Sequence, residues 1–293
     1  MINGILNVYK EKGYTSHDVV AKLRGILRQK KIGHTGTLDP DAEGVLPICL
    51  GKGTKLCDMM DDTDKVYKAT LLLGVETDTE DITGTVLKEL PVTCTEEEVT
   101  DVIGSFVGDS MQIPPMYSAI KVNGKKLYEL AREGKVIERQ PRPITVYEIR
   151  ILEVNLPEVV MEIHCSKGTY IRSICRDVGE KLGCGGCMKR LVRTRACGFF
   201  LDQALKLDQI EEKRDDGTLM DAITPIDYAF RAYSEVIVPE THNKLLYNGN
   251  VLPICLDSAE EKVRVYDAEH CFIGLYENKG KELKPLKLFF DRG

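Results

Sequence analysis

Residues 33–46 read GHTGTLDPDAEGVL, and the fold and the chemistry are both read outward from this stretch. One acid, Asp39, sits among three glycines and a proline. Gly33, Gly36 and Gly44 admit backbone angles that other residues resist. Pro40 drives Asp39 toward an extended conformation and away from helix. An apolar, strand-like run, VLPICL at 45–50, follows directly. A carboxylate on such a loop is placed to act on a ligand. The same residues also make an ordinary tight turn capped by Asp39.

On either side the chain alternates strands and helices. Residues 3–9 read as a strand. Thr15 and Asp18 have capping-box spacing ahead of the helical DVVAKLRGIL. KVYKATLLLG at 65–74 alternates as a strand, and TGTVLKEL at 83–90 is expected to pair with it through the intervening turn. Thr95 and Glu98 open another helix, and 124–133 is a short amphipathic helix with Leu127, Leu130 and Ala131 inward. Strands are expected at 144–154 and 159–166, a helix at 169–182, and a further strand in TRACGFF at 194–200. The fold class is α+β, a mostly antiparallel sheet with helices packed on it. Beyond an acidic, polar stretch near 205–235, the runs VIVP, VLPICL, KVRVYD and CFIGLYE predict a small β-rich domain at 236–293, leaving 1–235 as the main domain.

The chain has 293 residues, 43% of them apolar, enough for a real core. No apolar stretch approaches the roughly 18–20 residues that span a bilayer, and MINGILNVYKEKG lacks the pattern of a signal peptide. Ten cysteines at irregular spacings suit free thiols in a reducing cytoplasm. CGGC at 184–187 has no second ligand pair, so no metal is expected. GKGTK at 51–55 lacks P-loop spacing, and no dinucleotide fingerprint is present.

The net charge of −6 hides a segregated distribution. Residues 22–39 carry five bases against one acid, a net of +4, and residues 163–200 carry eight against two, a net of +6. Segregation allows a basic face for a phosphate backbone; solvated helix faces give the same pattern. Lys22, Lys30, Lys31, Arg190, Arg193 and Arg195 are the candidates for phosphate contacts.

GHTGTLDPDAEGVLPICLG, KVYKATLLLG, IPPMYSAIKVNGKKLYELAREG at 113–134, RPITVYEI at 142–149 and HCSKGTYIRSICRDVGEKLGC at 164–184 together resemble the TruB family of tRNA pseudouridine synthases, over roughly residues 1–230 and more loosely in the tail. The resemblance implies a pseudouridine-synthase sheet, a PUA-like RNA-binding tail and isomerisation of the T-loop uridine at tRNA position 55. It implies that Asp39 is the catalytic carboxylate and Arg172 its partner. It makes Tyr67 the ring on which the extruded uracil stacks, Tyr170 and Leu191 walls of the pocket, His34 the filler of the gap left in the RNA, and Lys55 a pocket lysine. Taken alone, Arg172 is a phosphate contact or a surface arginine, Tyr67, Tyr170 and Leu191 are packing residues, and His34 is structural. The isomerisation moves no electrons and needs no group donor, so no cofactor is expected. The implied partner is the tRNA T-arm stem-loop, with a monomeric enzyme, no protein partner and no membrane. A tRNA-folding helper and a guided synthase for another RNA are the alternatives.

Overall fold

The computed structural model describes residues 1–60, 63–122 and 124–290. Strand β1 (Gly4–Lys10) leads to helix α1 (Ser16–Ile26), whose Thr15–Asp18 capping box forms as expected. Hairpin partners β2 (Ile32–His34) and β3 (Glu43–Leu50) flank the Asp39 loop. Helix α2 (Cys57–Met60) precedes β4 (Lys65–Leu73). A side hairpin, β5 (Val75–Thr77) and β6 (Val86–Glu89), is followed by α3 (Glu96–Gly104), capped by Thr95 and Glu98. Next come β7 (Gly108–Gln112), the short pair β8 (Lys121–Val122) and β9 (Lys125–Lys126), and α4 (Leu127–Arg132). The long hairpin β10 (Arg142–Asn155) and β11 (Glu158–Cys165) leads to α5 (Ile171–Lys181), β12 (Gly186–Ala196) and β13 (Phe199–Phe200).

The main sheet runs β14-β1-β3-β12-β4-β11-β10-β7, where β14 is Ile223–Thr224, with β2 on β3 and β13 on β12. Its pairs are antiparallel except for β3 with β12, where Val192 and Arg193 lie opposite Glu43 and Gly44. The period-2 pattern of β4 explains its place. Tyr67, Ala69, Leu71 and Leu73 face one side and join Met161 and Ile163 of β11 under α3 and α5. VLPICL has no such alternation because β3 is covered on both faces. Leu46, Ile48 and Leu50 pack with α1 and with Ile210 of α6 (Leu207–Asp215), while Val45 and Cys49 face the tail.

The tail builds a second sheet, β15 (Glu235–Ile237), β16 (Lys262–Tyr266), β17 (Phe272–Asn278) and β18 (Leu283–Leu288), beside α7 (Asn243–Tyr247). Val238, Leu246, Val263, Val265 and Tyr276 form its core. Leu275 and Phe289 dock it against Ile5, Val45 and Phe230 of the body. The last three residues assigned to the tail, 291–293, lie outside the described residues. Among the described residues no helix is long and apolar enough to cross a membrane.

Four elements differ from the sequence reading. The helix expected at 124–133 is confined to Leu127–Arg132, with only Leu127 of its expected inward residues buried, because Lys125–Lys126 pair as β9. Strand 86–89 pairs with 75–77, because Gly74 turns the chain before the hairpin, and β4 is already taken by β11 and β12. The strand expected in TRACGFF begins eight residues earlier, at Gly186, and breaks at Cys197–Gly198. VLPICL at 251–256 contributes only the bridge from Leu252 to Leu283.

The parallel seam depends on Gly44, whose φ is 103° and whose added Cβ would lie 2.3 Å from the Arg193 carbonyl oxygen. Backbone cannot yield as a side chain can. Gly44→Ala is expected to destabilise the protein by about 1–3 kcal/mol, read as a lowered melting temperature and a lower urea midpoint.

Candidate active site

The Asp39 loop is fixed from below by buried cations. Lys10, at the end of β1, is fully buried. Its Nζ donates to the carbonyls of Ala42 at 2.6 Å, Pro40 at 3.0 Å and Glu11 at 3.2 Å. The Gly13 N–H also reaches the Pro40 carbonyl, at 2.9 Å. On the other side of Asp39, Arg193 Nη2 donates to the Gly36 carbonyl at 2.9 Å. The Leu38 N–H meets Ser16 Oγ at 3.0 Å, which ties the loop to α1. Glycine and proline let the loop form; these bonds hold it in one form.

The carboxylate itself meets Arg172, at the start of α5. Arg172 Nη2 lies 3.0 Å from Asp39 Oδ2, and Nη1 lies 3.6 Å from Asp81 Oδ2. The same guanidinium donates to the carbonyls of Tyr117 at 2.9 Å and Thr79 at 3.1 Å. Asp81 is held in turn by the Thr79 and Thr83 hydroxyls and the Thr83 N–H. The Arg172 side chain is 6% exposed, whereas that of Asp39 is 45% exposed. A buried arginine anchored by two backbone carbonyls thus presents a carboxylate to an open cleft.

That cleft, of about 540 Å³, is lined by Asp39, Tyr67, Tyr170, Arg172 and Leu191, with Lys65, Arg142 and Lys167 on its walls. Register explains the grouping. On β12 and β4, Arg193 lies opposite Tyr67 and Leu191 opposite Ala69. Tyr170 precedes α5, and its backbone makes two bonds to the Gln112 side chain on β7. Burial pushes the Tyr67 hydroxyl up to about 12 and raises that of Tyr170.

Two family models match: the TruB family pseudouridylate synthase N-terminal domain over residues 24–171 and the tRNA pseudouridylate synthase B C-terminal domain over 172–231. The chain belongs to the TruB family. It is 55% identical to the tRNA pseudouridine synthase B of Lachnoclostridium phytofermentans, over 98% of this chain and all of that one. It is 45% identical to the synthase of the same name from Alkaliphilus oremlandii, over 99% of this chain and all of that one. Among solved structures, that of a Cbf5-Nop10-Gar1 complex matches with a TM-score of 0.74 and 26% identity, covering 99% of this chain and 85% of the other. An H/ACA ribonucleoprotein bound to a substrate RNA containing 2′-deoxyuridine matches in fold, with a TM-score of 0.73, 23% identity, and 99% and 86% coverage.

In this TruB-family chain five of the seven residues singled out from sequence meet in one cleft, and two do not. His34 sits in β2, edge-on to His17 with ring centroids 5.2 Å apart. Lys55 faces the tail, its Nζ donating to the Leu288 carbonyl at 2.6 Å. Nearness in sequence to the Asp39 loop carried neither into the cleft. The expected basic stripe is also altered. Arg193 is fully buried, Arg190 pairs with Glu43 and Arg195 with Asp64. Cys184 and Cys187 are buried, and among the described residues no cluster of three metal-binding side chains occurs.

Lys10 and Asp81 were missed, and Arg193, read from sequence as a phosphate contact, is instead a buried support of the loop. Asp81 lies in TDTEDITG, which reads as a turn; its Thr-Asp density was the available signal. Lys10 ends an apolar strand, where lysine ordinarily marks the surface.

Desolvation dominates the electrostatics. It raises the Asp39 carboxyl above its ordinary range against the pull of Arg172, with Asp81 adding to the rise. Although much of the side chain touches solvent, it lies on the floor of the cleft, where protein replaces most of the surrounding water. Burial also brings the Lys10 ammonium down from 10.5 to about 8. Between those two values the unfolded chain keeps the proton and the folded chain releases it, so folding gains stability as pH rises. Relative to Lys10→Met, the wild type is expected to gain on the order of 3 kcal/mol at most from pH 8 to 10.5, measured by urea unfolding at stepped pH.

Proposed function

We propose that this chain converts the T-loop uridine of tRNA, position 55, to pseudouridine, with Asp39 as the essential carboxylate and no cofactor. The observation that carries the reading is the Asp39–Arg172 pair, 3.0 Å apart at the floor of a cleft walled by Tyr67, Tyr170 and Leu191. In the reaction the C1′–N1 bond breaks, the uracil turns, and a C1′–C5 bond forms on the same ribose. The C5 hydrogen leaves as a proton and N1 gains one, so the substrate is isomerised with no net change of atoms. One carboxylate suffices, as nucleophile or as base on the ribose or the ring. No water attacks the sugar, so the second carboxylate of a glycosidase has no task.

The cleft is of a size to seat a nucleoside. A uridine stacked inside a folded T loop cannot reach its floor without leaving the stack, so extrusion accompanies binding. Tyr67 offers the flat ring for the extruded base and Leu191 the apolar wall. Arg142 and Lys167 line the same cleft and are the candidates for phosphate contacts there. We assign 1–235 to the catalytic domain and 236–293 to a PUA-like RNA-binding domain, in which Lys281, Lys284 and Lys287 lie on and beside β18. The enzyme works as a cytoplasmic monomer without protein partners.

A guided synthase is the second reading, because one similar solved structure is of a Cbf5-Nop10-Gar1 complex and another is of an H/ACA ribonucleoprotein bound to a substrate RNA. A bare T-arm stem-loop separates the two. Purified protein alone is expected to yield pseudouridine at the target uridine, mapped by carbodiimide modification and reverse-transcription stops. Asp39→Asn is expected to lose at least about 10³-fold in single-turnover rate while binding the stem-loop within threefold of wild type. Because the carboxyl is held up by desolvation, the wild-type rate on limiting RNA is expected to fall with acid above the ordinary aspartate range. Retained turnover in the variant would sink the mechanism; dependence on added protein and guide RNA would favour the guided reading.

A further inference from the structure

Helix α5 delivers Arg172 from a start that its own sequence leaves weak. The first helical residue is Ile171, and Tyr170, at the N-cap position, makes no side-chain cap. No acid stands in the first turn, where Arg172 sets a cation against the helix dipole. Ser173 holds the position from which a side chain reaches back to the N-cap N–H in a capping box. Its hydroxyl instead donates to Glu80 at 2.6 Å. The missing bond comes from another part of the chain. Gln112, the last residue of β7 on the edge of the main sheet, is 4% exposed. Its Oε1 accepts the Tyr170 N–H at 2.8 Å, and its Nε2 donates to the Tyr170 carbonyl at 3.0 Å. That carbonyl already takes the Ile174 N–H at 3.2 Å, so the second bond rescues no orphaned group of the helix. An apolar side chain at this buried place would need no partners at all. Five residues beyond Gln112, the Tyr117 carbonyl takes Arg172 Nη2. The amide thus joins the edge of the sheet to the residue two before Arg172.

We infer that Gln112 is a positioning residue: by gripping both backbone groups of Tyr170 it fixes the first turn of α5, and so sets where the Tyr170 ring and the Arg172 guanidinium stand against Asp39. The inference rests on the isomerase reading above. Gln112 does not itself line the reaction cleft and acts through the two residues that do. A helix start without its caps frays, because its first turn unwinds at least cost. Arg172 is the second residue of that turn, and a displaced guanidinium loses its line to Asp39. Misplacement of about an ångström costs up to about 10²-fold in rate. The loss falls on turnover more than on binding, since phosphate contacts dominate affinity for RNA.

The test is single-turnover isomerisation of a T-arm stem-loop at stepped pH by wild type and Gln112→Met, each also made with Arg172→Lys, beside stem-loop affinity and melting temperature. Methionine is close to glutamine in size and bonds to neither Tyr170 group. Gln112→Met is expected to lose about 10–100-fold in rate, with affinity within about threefold. Desolvation raises the Asp39 carboxyl and Arg172 draws it down, with Asp81, Lys10 and Asp41 also facing it. A loosened Arg172 draws less, so the acid limb of the rate is expected to move to higher pH in Gln112→Met. With Arg172→Lys the guanidinium is already gone, so Gln112→Met is expected to cost a smaller factor there than in wild type. A variant that only loosens the fold lowers the melting temperature, costs the same factor in both backgrounds and leaves the limb in place; that result overturns the inference. Where Arg172→Lys is too slow to time, the acid limb alone decides. Where Gln112→Met does not fold, Gln112→Asn, a neutral amide one methylene shorter, takes its place in every comparison. An unimpaired Gln112→Met beside an active wild type overturns the role of Gln112 and leaves the isomerase reading standing. A silent wild type overturns both.

Discussion

Everything in the cleft depends on keeping the Asp39 loop in one conformation, and buried cations do this. Lys10 holds the carbonyls of Pro40 and Ala42, Arg193 holds that of Gly36, and Arg172 holds the carboxylate. Each charged hydrogen bond contributes about 1.5–3 kcal/mol, while stripping water from each cation costs several kcal/mol. The terms nearly cancel, so these residues add little to net stability. What they provide is geometry. A loop of glycines and a proline would otherwise sample many states, and the reaction would bear the cost of ordering it in each turnover.

The parallel β3–β12 seam makes the arrangement possible. It places Gly44 against the Arg193 backbone, so that the arginine can reach back to Gly36 and Val45. On its other edge β12 pairs antiparallel with β4 and brings Tyr67 alongside. Helix α5, packed on the same face through Ile171 and Ile174, then delivers Arg172 from the opposite wall. Elements from distant stretches of chain meet around one carboxylate, and the apolar alternation of β4 and β11 fixes which face they share.

Local features were legible in the sequence. The two capping boxes, the alternation of β4 and the turn residues around Asp39 each have short-range causes. Pairing across long separations was not, because it follows from which edges are already occupied; the 83–90 strand found β5 for that reason. The basic run KRLVRTR looked like surface, yet β12 threads the middle of the sheet, burying Arg193 and pairing Arg190 and Arg195. Charge density cannot show that a cation is interior, since this depends on carbonyls far away in sequence. His34 and Lys55 show the converse. They adjoin the loop in sequence, but the hairpin and the 3-10 turn that follows lead them away to α1 and the tail.

Sharing Arg172 among several acceptors also explains the state of Asp39. A carboxylate in an exclusive ion pair is held well below its ordinary range and is correspondingly poor as a nucleophile or base. Here the guanidinium also serves Asp81 and the carbonyls of Thr79 and Tyr117, so its pull on Asp39 is divided. Desolvation then prevails and the carboxyl rises above its ordinary range. The same arginine therefore orients Asp39 without quenching it. Asp81 is the residue that makes this compatible, because it shares the buried guanidinium with Asp39.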